Sequence, residues 1–342
     1  MVTFRFYDAM SHIVGHEHIL EILARTARAG NPAHSYLFTG GEGIGKKMVG
    51  IRFAGLLNCP SPMEDPHGAC KVCKRIEALN HPDFQVVSPD RGAIRIEQVR
   101  QLQEFFKFPP YEGRWRIALI DDAHVMTQAA QNALLKTLEE PPVGRMIILV
   151  TSKSHLLLTT VRSRCRRIRF APLPPGEAAR LIVGNKKMTQ DKALILAALA
   201  GGSVSEALRL DSKSFTELRR QLLDALAQAH NLGWCNLLAL SAKIAGDAES
   251  AREAVRIISS WLRDLLHVKS MPDDSGVTNT DFMSFLRRQA DALDAPPILR
   301  CYDEVVRALE LIESDTNVNR NLVADVMLAR ITRILSGRSA AA

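Results

Sequence analysis

The sequence predicts an α/β protein, in which a mostly parallel sheet covered by helices is followed by an all-helical region. Two observations indicate this fold. Four short apolar segments in the first half have the character of strands, and amphipathic segments lie between them. After a proline-rich break at 171–176, the pattern is helical to the end of the chain.

The predicted strands and helices alternate along the first half. Near-continuous apolar runs, which are typical of parallel strands buried on both faces, predict strands over Ser35–Thr39, Phe84–Ser88, Trp115–Ile120 and Met146–Thr151. Amphipathic periodicity predicts helices over Lys46–Leu57, Ile96–Phe106 and Thr127–Glu139. This alternation favours helices on both faces of one sheet.

The second half divides into a small and a larger helical unit. We expect a first domain over 1–171, a small helical domain over 172–211 and a helical bundle over 212–338. The polar segment 271–280 is predicted to be an exposed loop, and residues 339–342 are predicted to be a disordered tail.

Composition and charge narrow the class of protein. The chain has 342 residues and a net charge of +7, and residues 1–171 hold 23 Lys and Arg against 16 Asp and Glu. A basic half can lie near a polyanion such as DNA or ATP, or it can be a solvated face. There is no secretion signal and no apolar run of about 18 residues, so we expect a cytoplasmic protein without a membrane partner.

A glycine-rich segment follows the first predicted strand and opens a helix. Gly40, Gly43, Gly45 and Lys46 match a phosphate-binding loop, in which backbone amides and a lysine surround an anion at a helix N-terminus. The template continues with Ser or Thr, whose hydroxyl binds magnesium. Lys47 holds that place here, and an ammonium group cannot be a metal ligand.

An acidic pair ends the third predicted strand. Asp121 is placed to bind magnesium, while Asp122 stands where an active ATPase of this type carries the Glu that orients the attacking water. Strand, loop, helix and later acidic strand together indicate a nucleotide-binding ancestry. The alternative is a glycine turn with a charged strand end.

Four metal-ligand residues lie within a segment of 15 residues. Cys59, His67, Cys70 and Cys73 have the spacing of a closed tetrahedral zinc site, with a zinc-binding module at about 59–83. In a reducing compartment, six cysteines indicate thiols or metal ligands. The alternatives are a redox CxxC pair and, for His67, a solvated loop histidine. A closed site would be structural because it leaves no position for a substrate.

Several longer motifs resemble a known family. They are HSYLFTGGEGIGK (34–46), the cysteine segment ending in HPD (81–83), NALLKTLEEPP (132–142), VRSRC (161–165) and NVNRNL (317–322). Together they resemble the delta-prime subunits of the bacterial DNA polymerase III clamp loader. The resemblance implies an AAA+ module, a helical lid and a helical collar that joins subunits in a ring.

The resemblance also implies a site residue and partners. By motif match, Arg164 is the arginine finger that reaches a neighbouring subunit's ATP site, and Arg162 is the alternative assignment. The implied partners are the clamp-loader ATPase subunits, the delta subunit, and, through the complex, the sliding clamp and primed DNA. Structural zinc is the expected cofactor. Direct DNA contact by this chain stays open.

The chain departs from the active subunits of this family at three places. Lys47, Asp122 and Ser205 stand where a motor carries a magnesium ligand, a catalytic Glu and a lid arginine. We therefore expect that this chain is not an autonomous ATPase and that it is a subunit of a complex with DNA-directed DNA polymerase activity. Nucleotide binding without hydrolysis stays open. The alternatives are the active motor subunit and a free-standing nucleotide kinase.

Overall fold

The computed structural model describes residues 15–60, 70–185, 188–229, 233–271, 276–313 and 319–336. His67 and the predicted tail at 339–342 lie outside the described residues. The contacts divide the chain into two compact units, one of residues 1–181 with 202–205 and the other of residues 182–201 with 206–342.

The first unit contains a sheet of five parallel strands in the order β2-β3-β4-β1-β5. The strands are β1 Ser35–Thr39, β2 Phe84–Val87, β3 Arg116–Ile120, β4 Arg145–Thr151 and β5 Arg166–Arg169. The predicted parallel sheet is confirmed, and four strands lie within one residue of their expected bounds. The fifth, β5, was not predicted. It is an edge strand whose three arginines are exposed.

Helices cover both faces of this sheet, as predicted. They are α1 Glu17–Ala29, α2 Lys46–Asn58, α3 Lys71–Glu77, α4 Ile96–Lys107, α5 Gln128–Glu139 and α6 Thr159–Ser163. Helix α7, Pro175–Asn185, begins in the first unit and continues past residue 181. Successive strand residues point to opposite faces. Ile117 and Leu119 therefore belong to one core cluster, whereas Ala118 and Ile120 belong to the other.

The remaining chain is helical. Its helices are α8 Gln190–Leu199, α9 Val204–Leu210, α10 Lys213–Ala227, α11 Trp234–Ile244, α12 Ala248–Ser270, α13 Met283–Ala292, α14 Ala295–Glu313 and α15 Arg320–Leu335. The long helix α12 lies at the centre and packs against α10, α13 and α14. Its Trp261 is fully buried, which gives the second unit a hydrophobic core of its own.

The segment before α13 corrects part of the prediction of an exposed loop over 271–280. Residues 272–275 lie outside the described residues, and Met271, Gly276 and Thr280 are exposed. Thr278 and Asn279 are buried. The carboxylate of Asp264 on α12 accepts the backbone N–H of both, and the Asn279 amide donates to the same carboxylate. Asp264 thus satisfies backbone groups that would otherwise be buried without partners.

A helix that crosses a bilayer must be long and apolar. Taken singly, none of the described helices is long and apolar enough to cross a membrane. Helices α8 and α9 reach the required length and apolar composition only when they are taken together, and as a pair they are bent.

Candidate functional site

The glycine-rich segment connects β1 to α2, where the sequence predicts a phosphate loop. Gly40, Gly43 and Gly45 have φ angles of 152°, 69° and 93°, in a region that side chains other than glycine rarely adopt. A β-carbon at Gly40 would also lie 2.5 Å from the carbonyl oxygen of Phe170. The three glycines are therefore required by the backbone path of this loop.

Lys46 is the first residue of α2 and is 6% exposed. Its Nζ donates to the carbonyl oxygens of Gly40, at 2.9 Å, and Gly41. Burial lowers the pKa of Lys46, and the negative charges of Asp122 and Glu42 partly oppose that effect. The predicted anion-binding ammonium group is thus held by carbonyl groups of its own loop.

Lys47 lies against the acidic end of β3. Its Nζ is 2.9 Å from Oδ2 of Asp121. The ammonium group of Lys47 therefore pairs with the carboxylate that would bind magnesium in an active ATPase site. This ion pair neutralises the charge of the carboxylate. The next residue, Asp122, has a left-handed backbone with a φ of 46° and directs its N–H to the Asp121 side chain.

Two serines lie against the tip of the phosphate loop. A β-carbon on Gly43 would be 2.3 Å from the Oγ of Ser203 and 2.0 Å from the Oγ of Ser205. Ser205, which the family resemblance implies as the counterpart of a lid arginine, therefore faces the loop with a neutral hydroxyl. This contact brings no positive charge toward a bound phosphate.

Three of the four predicted metal ligands lie together. The sulfurs of Cys59, Cys70 and Cys73 are all within 4.8 Å of one another, and those of Cys59 and Cys70 are 3.8 Å apart. Tetrahedral zinc binds thiolates at about 2.3 Å, which separates two sulfurs of one site by about 3.8 Å. The cluster could therefore hold a metal ion. His67 lies outside the described residues.

The surroundings of Cys70 favour its thiolate form. Burial acts to raise the pKa of the Cys70 thiol, but hydrogen bonds from the Cys73 backbone and from Cys59 outweigh burial and lower that pKa. Near Cys73, the buried Arg52 of α2 pairs with Glu77 of α3. This ion pair holds together the two helices that carry the cysteines and places a positive charge beside them.

Arg164 follows α6 and is fixed at both its main chain and its side chain. The Ser35 hydroxyl donates to the Arg164 carbonyl at 2.7 Å. The guanidinium Nη1 donates to the Thr160 carbonyl at 3.0 Å, and Nη2 lies 2.7 Å from Oε1 of Glu139. Arg162, the alternative finger, instead donates from Nη2 to the Thr159 hydroxyl.

Arg164 and the phosphate loop lie at opposite ends of β1. The Ser35 contact places Arg164 where β1 begins, whereas the phosphate loop starts after Thr39, where β1 ends. The five residues of β1 span about 16 Å at about 3.3 Å per residue. That distance exceeds the reach of an arginine side chain, so Arg164 does not contact a phosphate bound in its own chain's loop.

The sequence did not identify Glu139 as a partner of Arg164. Glu139 lies within the motif NALLKTLEEPP, but it is 25 residues from Arg164 in the chain. The signal that was available is the pair of acidic residues that ends α5, since acids at the C-terminal end of a helix are electrostatically unfavourable.

The sheet, the loop and the acidic strand define a phosphate-loop module of the AAA+ type. Family models described as DNA polymerase III, delta subunit, and as its C-terminal region match residues 15–174 and 213–333. DNA polymerase III subunit delta' of Escherichia coli is 31% identical over 92% of this chain and 93% of its own length. The corresponding subunit of Pseudomonas aeruginosa is 29% identical over 87% of this chain and 91% of its own length.

The chain belongs to the DNA polymerase III subunit delta' family, which confirms the predicted family. Among solved structures, a gamma subunit-related protein of Thermotoga maritima is similar with a TM-score of 0.45 and 20% identity. That similarity covers 91% of this chain and 99% of the other.

Proposed function

We propose that this chain is a clamp-loader subunit of DNA polymerase III that supplies Arg164 to the ATP site of a neighbouring subunit and does not hydrolyse ATP itself. Its family membership supports the clamp-loader role. An arginine supplied in trans would neutralise the charge that develops on the transferred phosphate. The chain would in this way help to load the sliding clamp onto primed DNA.

The position of Arg164 is the observation that carries the proposal. Because Ser35 binds its carbonyl at the beginning of β1, Arg164 lies at the end of the strand away from the phosphate loop. An arginine so placed is useful to a phosphate only when that phosphate belongs to another chain. Its side chain is 36% exposed, which leaves it accessible to a neighbour.

The phosphate loop supports a non-hydrolysing role. Lys47 pairs with Asp121, so the site has neither the hydroxyl nor the free carboxylate that would bind magnesium. Lys46 is held by loop carbonyls, and Ser205 offers no positive charge. Lys47, Asp122 and Ser205 thus stand in place of three parts of an ATPase site.

We propose that the metal held by the cysteine cluster is zinc and that its role is structural. Cys59, Cys70 and Cys73 would be thiolate ligands, and His67 would be the fourth. When bound, the ion would cross-link the end of α2 to the start of α3. The ring partners would be the loader's ATPase subunits and its delta subunit, joined through the helical region 212–338.

Hydrolysis of ATP by the isolated, zinc-loaded chain tests the proposal. We expect no turnover above that of a Lys46→Ala variant, because neither protein can hold magnesium at the loop. Lys47→Thr should not restore turnover, since Asp122 and Ser205 are unchanged.

Turnover by the wild-type chain that is lost in Lys46→Ala would contradict the proposal. It would favour the second candidate, an active ATPase motor of the same complex. That candidate is supported by the retained loop glycines and by Asp121 at the end of β3.

A further inference from the structure

We propose that Glu139 is a positioning residue for Arg164 and sets the direction of its guanidinium group before a neighbouring subunit binds. The inference rests on the proposed function of Arg164. It starts from the contact between Nη2 of Arg164 and Oε1 of Glu139 at 2.7 Å. A second contact, from Nη1 to the Thr160 carbonyl, holds the other branch of the guanidinium group.

The two contacts leave most of the guanidinium group available. Arginine has five N–H groups in one plane, one on Nε and two on each terminal nitrogen. Among the described residues, Nη1 donates to the Thr160 carbonyl, and Nη2 lies in an ion pair with Glu139. All five N–H groups lie in one plane, so holding both terminal nitrogens also sets the direction in which the remaining N–H groups can donate.

Helix stability does not explain a glutamate at this position. Glu139 is the last residue of α5, where a negative charge interacts unfavourably with the helix dipole. An ion pair whose carboxylate is 49% exposed also adds little to folding stability. The pair with Arg164 therefore points to a role at the arginine rather than in the helix.

Pre-organisation gives such a contact its value. A long arginine side chain loses rotamer freedom when it binds a phosphate, and a side chain that is already held loses less. The benefit appears in the transition state, where the phosphate charge must be met in one geometry. Glu139 should accordingly affect kcat of the neighbouring site more than KM for ATP.

Steady-state ATP hydrolysis by the fully assembled complex tests the inference. Five variants of this chain are compared with wild type: Glu139→Ala, Glu139→Gln, Glu140→Ala, Arg164→Ala and the double variant Glu139→Ala/Arg164→Ala. Glu140 is the matched control because it is the adjacent, exposed residue that caps the same helix. Circular dichroism and gel filtration confirm that each variant folds and assembles.

We expect Glu139→Ala to lower kcat at the neighbouring site about two- to fivefold, the size of effect that exposed ion pairs produce, with KM for ATP unchanged. The total kcat of the complex should fall by a smaller factor, because its other ATP sites are unchanged. Glu139→Gln should recover part of the loss because its amide oxygen can still accept a hydrogen bond from the guanidinium group. Glu140→Ala should match wild type. Adding Glu139→Ala to Arg164→Ala should cause no further loss, since the residue that Glu139 positions is gone.

The outcomes separate the two proposals. If Arg164→Ala lowers kcat but Glu139→Ala equals wild type or exceeds it, the role of Glu139 is refuted and that of Arg164 stands. A further loss from Glu139→Ala in the absence of Arg164 would also refute the positioning role. If Arg164→Ala itself has no effect, the proposed function fails, and this inference fails with it.

Discussion

The Asp83 carboxylate shows what a single buried residue does in this fold. It accepts the backbone N–H groups of Tyr111, Glu112 and Gly113 at 2.7, 2.9 and 2.8 Å. Burial acts to raise the pKa of Asp83, but these hydrogen bonds outweigh burial and leave that pKa below its usual value. One side chain thus fixes the backbone that leads into β3.

We expect Asp83→Asn to lower the free energy of unfolding by about 1–3 kcal/mol, since the amide has one acceptor oxygen and carries no charge. Urea unfolding at neutral pH measures this loss. Asp90→Asn is the control, because the Asp90 side chain is 70% exposed. Equal stability of the two variants would show that the three hydrogen bonds contribute little.

At the scale of helices and strands, the pair α2 and α3 carries the cysteine cluster. Their contact brings Cys59, at the end of α2, within 3.8 Å of Cys70, at the start of α3. The binding free energy of a structural zinc ion contributes to the free energy of folding, because the ligands are not assembled in the unfolded chain. The packing of these two helices should therefore depend on the metal.

Protein purified without chelator should contain one zinc ion per chain by elemental analysis. Cys73→Ser should lose the ion and unfold at a lower temperature than wild type, because a hydroxyl is a poor zinc ligand. His67→Ala separates the fourth ligand from the other three. Less than about a tenth of an equivalent of zinc in the wild-type protein would contradict the assignment.

Helices α9 and α12 are joined by a network of ion pairs. Arg209 binds Glu206 through Nη2, at 2.8 Å, and also pairs with Glu249 of α12. Arg256 of α12 contacts Glu206 as well. Hydrogen bonds from Arg209 and Arg256 lower the pKa of Glu206 to about 2, although burial opposes them.

This network predicts a pH-dependent loss of stability. A carboxylate whose pKa is lower in the folded state stabilises that state above its unfolded pKa. The stabilisation should therefore be complete above about pH 5 and be lost as the pH falls toward 2. We expect Glu206→Gln to reduce the free energy of unfolding by about 1–2 kcal/mol near neutral pH and to make no difference near pH 2.

Urea unfolding at several pH values measures this effect, with Glu310→Gln on the exposed surface of α14 as control. A difference between wild type and Glu206→Gln that stays constant from pH 2 to pH 7 would contradict the ion-pair explanation.

The sequence predicted those elements whose patterns are local. Strands β1 to β4 are apolar runs, and the phosphate loop has its own spacing, so both were predicted. Strand β5 was not, because only Ile168 in Arg166–Arg169 is buried and charged residues are typical of an edge strand. Asn279 was predicted to be exposed because it is polar. The sequence pattern gave no indication that Asp264 is its hydrogen-bond partner.

For the whole molecule, the two ends of β1 differ in the charged groups that they carry. At the end with the phosphate loop, Lys47 pairs with Asp121, so these two charges neutralise each other. The opposite end presents Arg164 at the protein surface, held by Ser35 and Glu139. This arrangement suits a subunit that contributes to a neighbour's ATP site and performs no hydrolysis of its own.

The most direct test is clamp loading onto primed DNA by the complete complex with Arg164→Ala in this chain. Loss of a trans arginine reduces the rate at one site by about 10³–10⁵, although ATP sites on other subunits would preserve part of the total hydrolysis. Loading should therefore fall more than bulk ATP hydrolysis does. Arg164→Lys should restore little, because an ammonium group lacks the planar donor geometry.

Arg162→Ala is the control for this measurement and should have the smaller effect. We expect the Arg164→Ala chain to stay folded, keep its zinc and assemble, while the complex loads clamps slowly. Loading at the wild-type rate by a properly assembled Arg164→Ala complex would contradict the account.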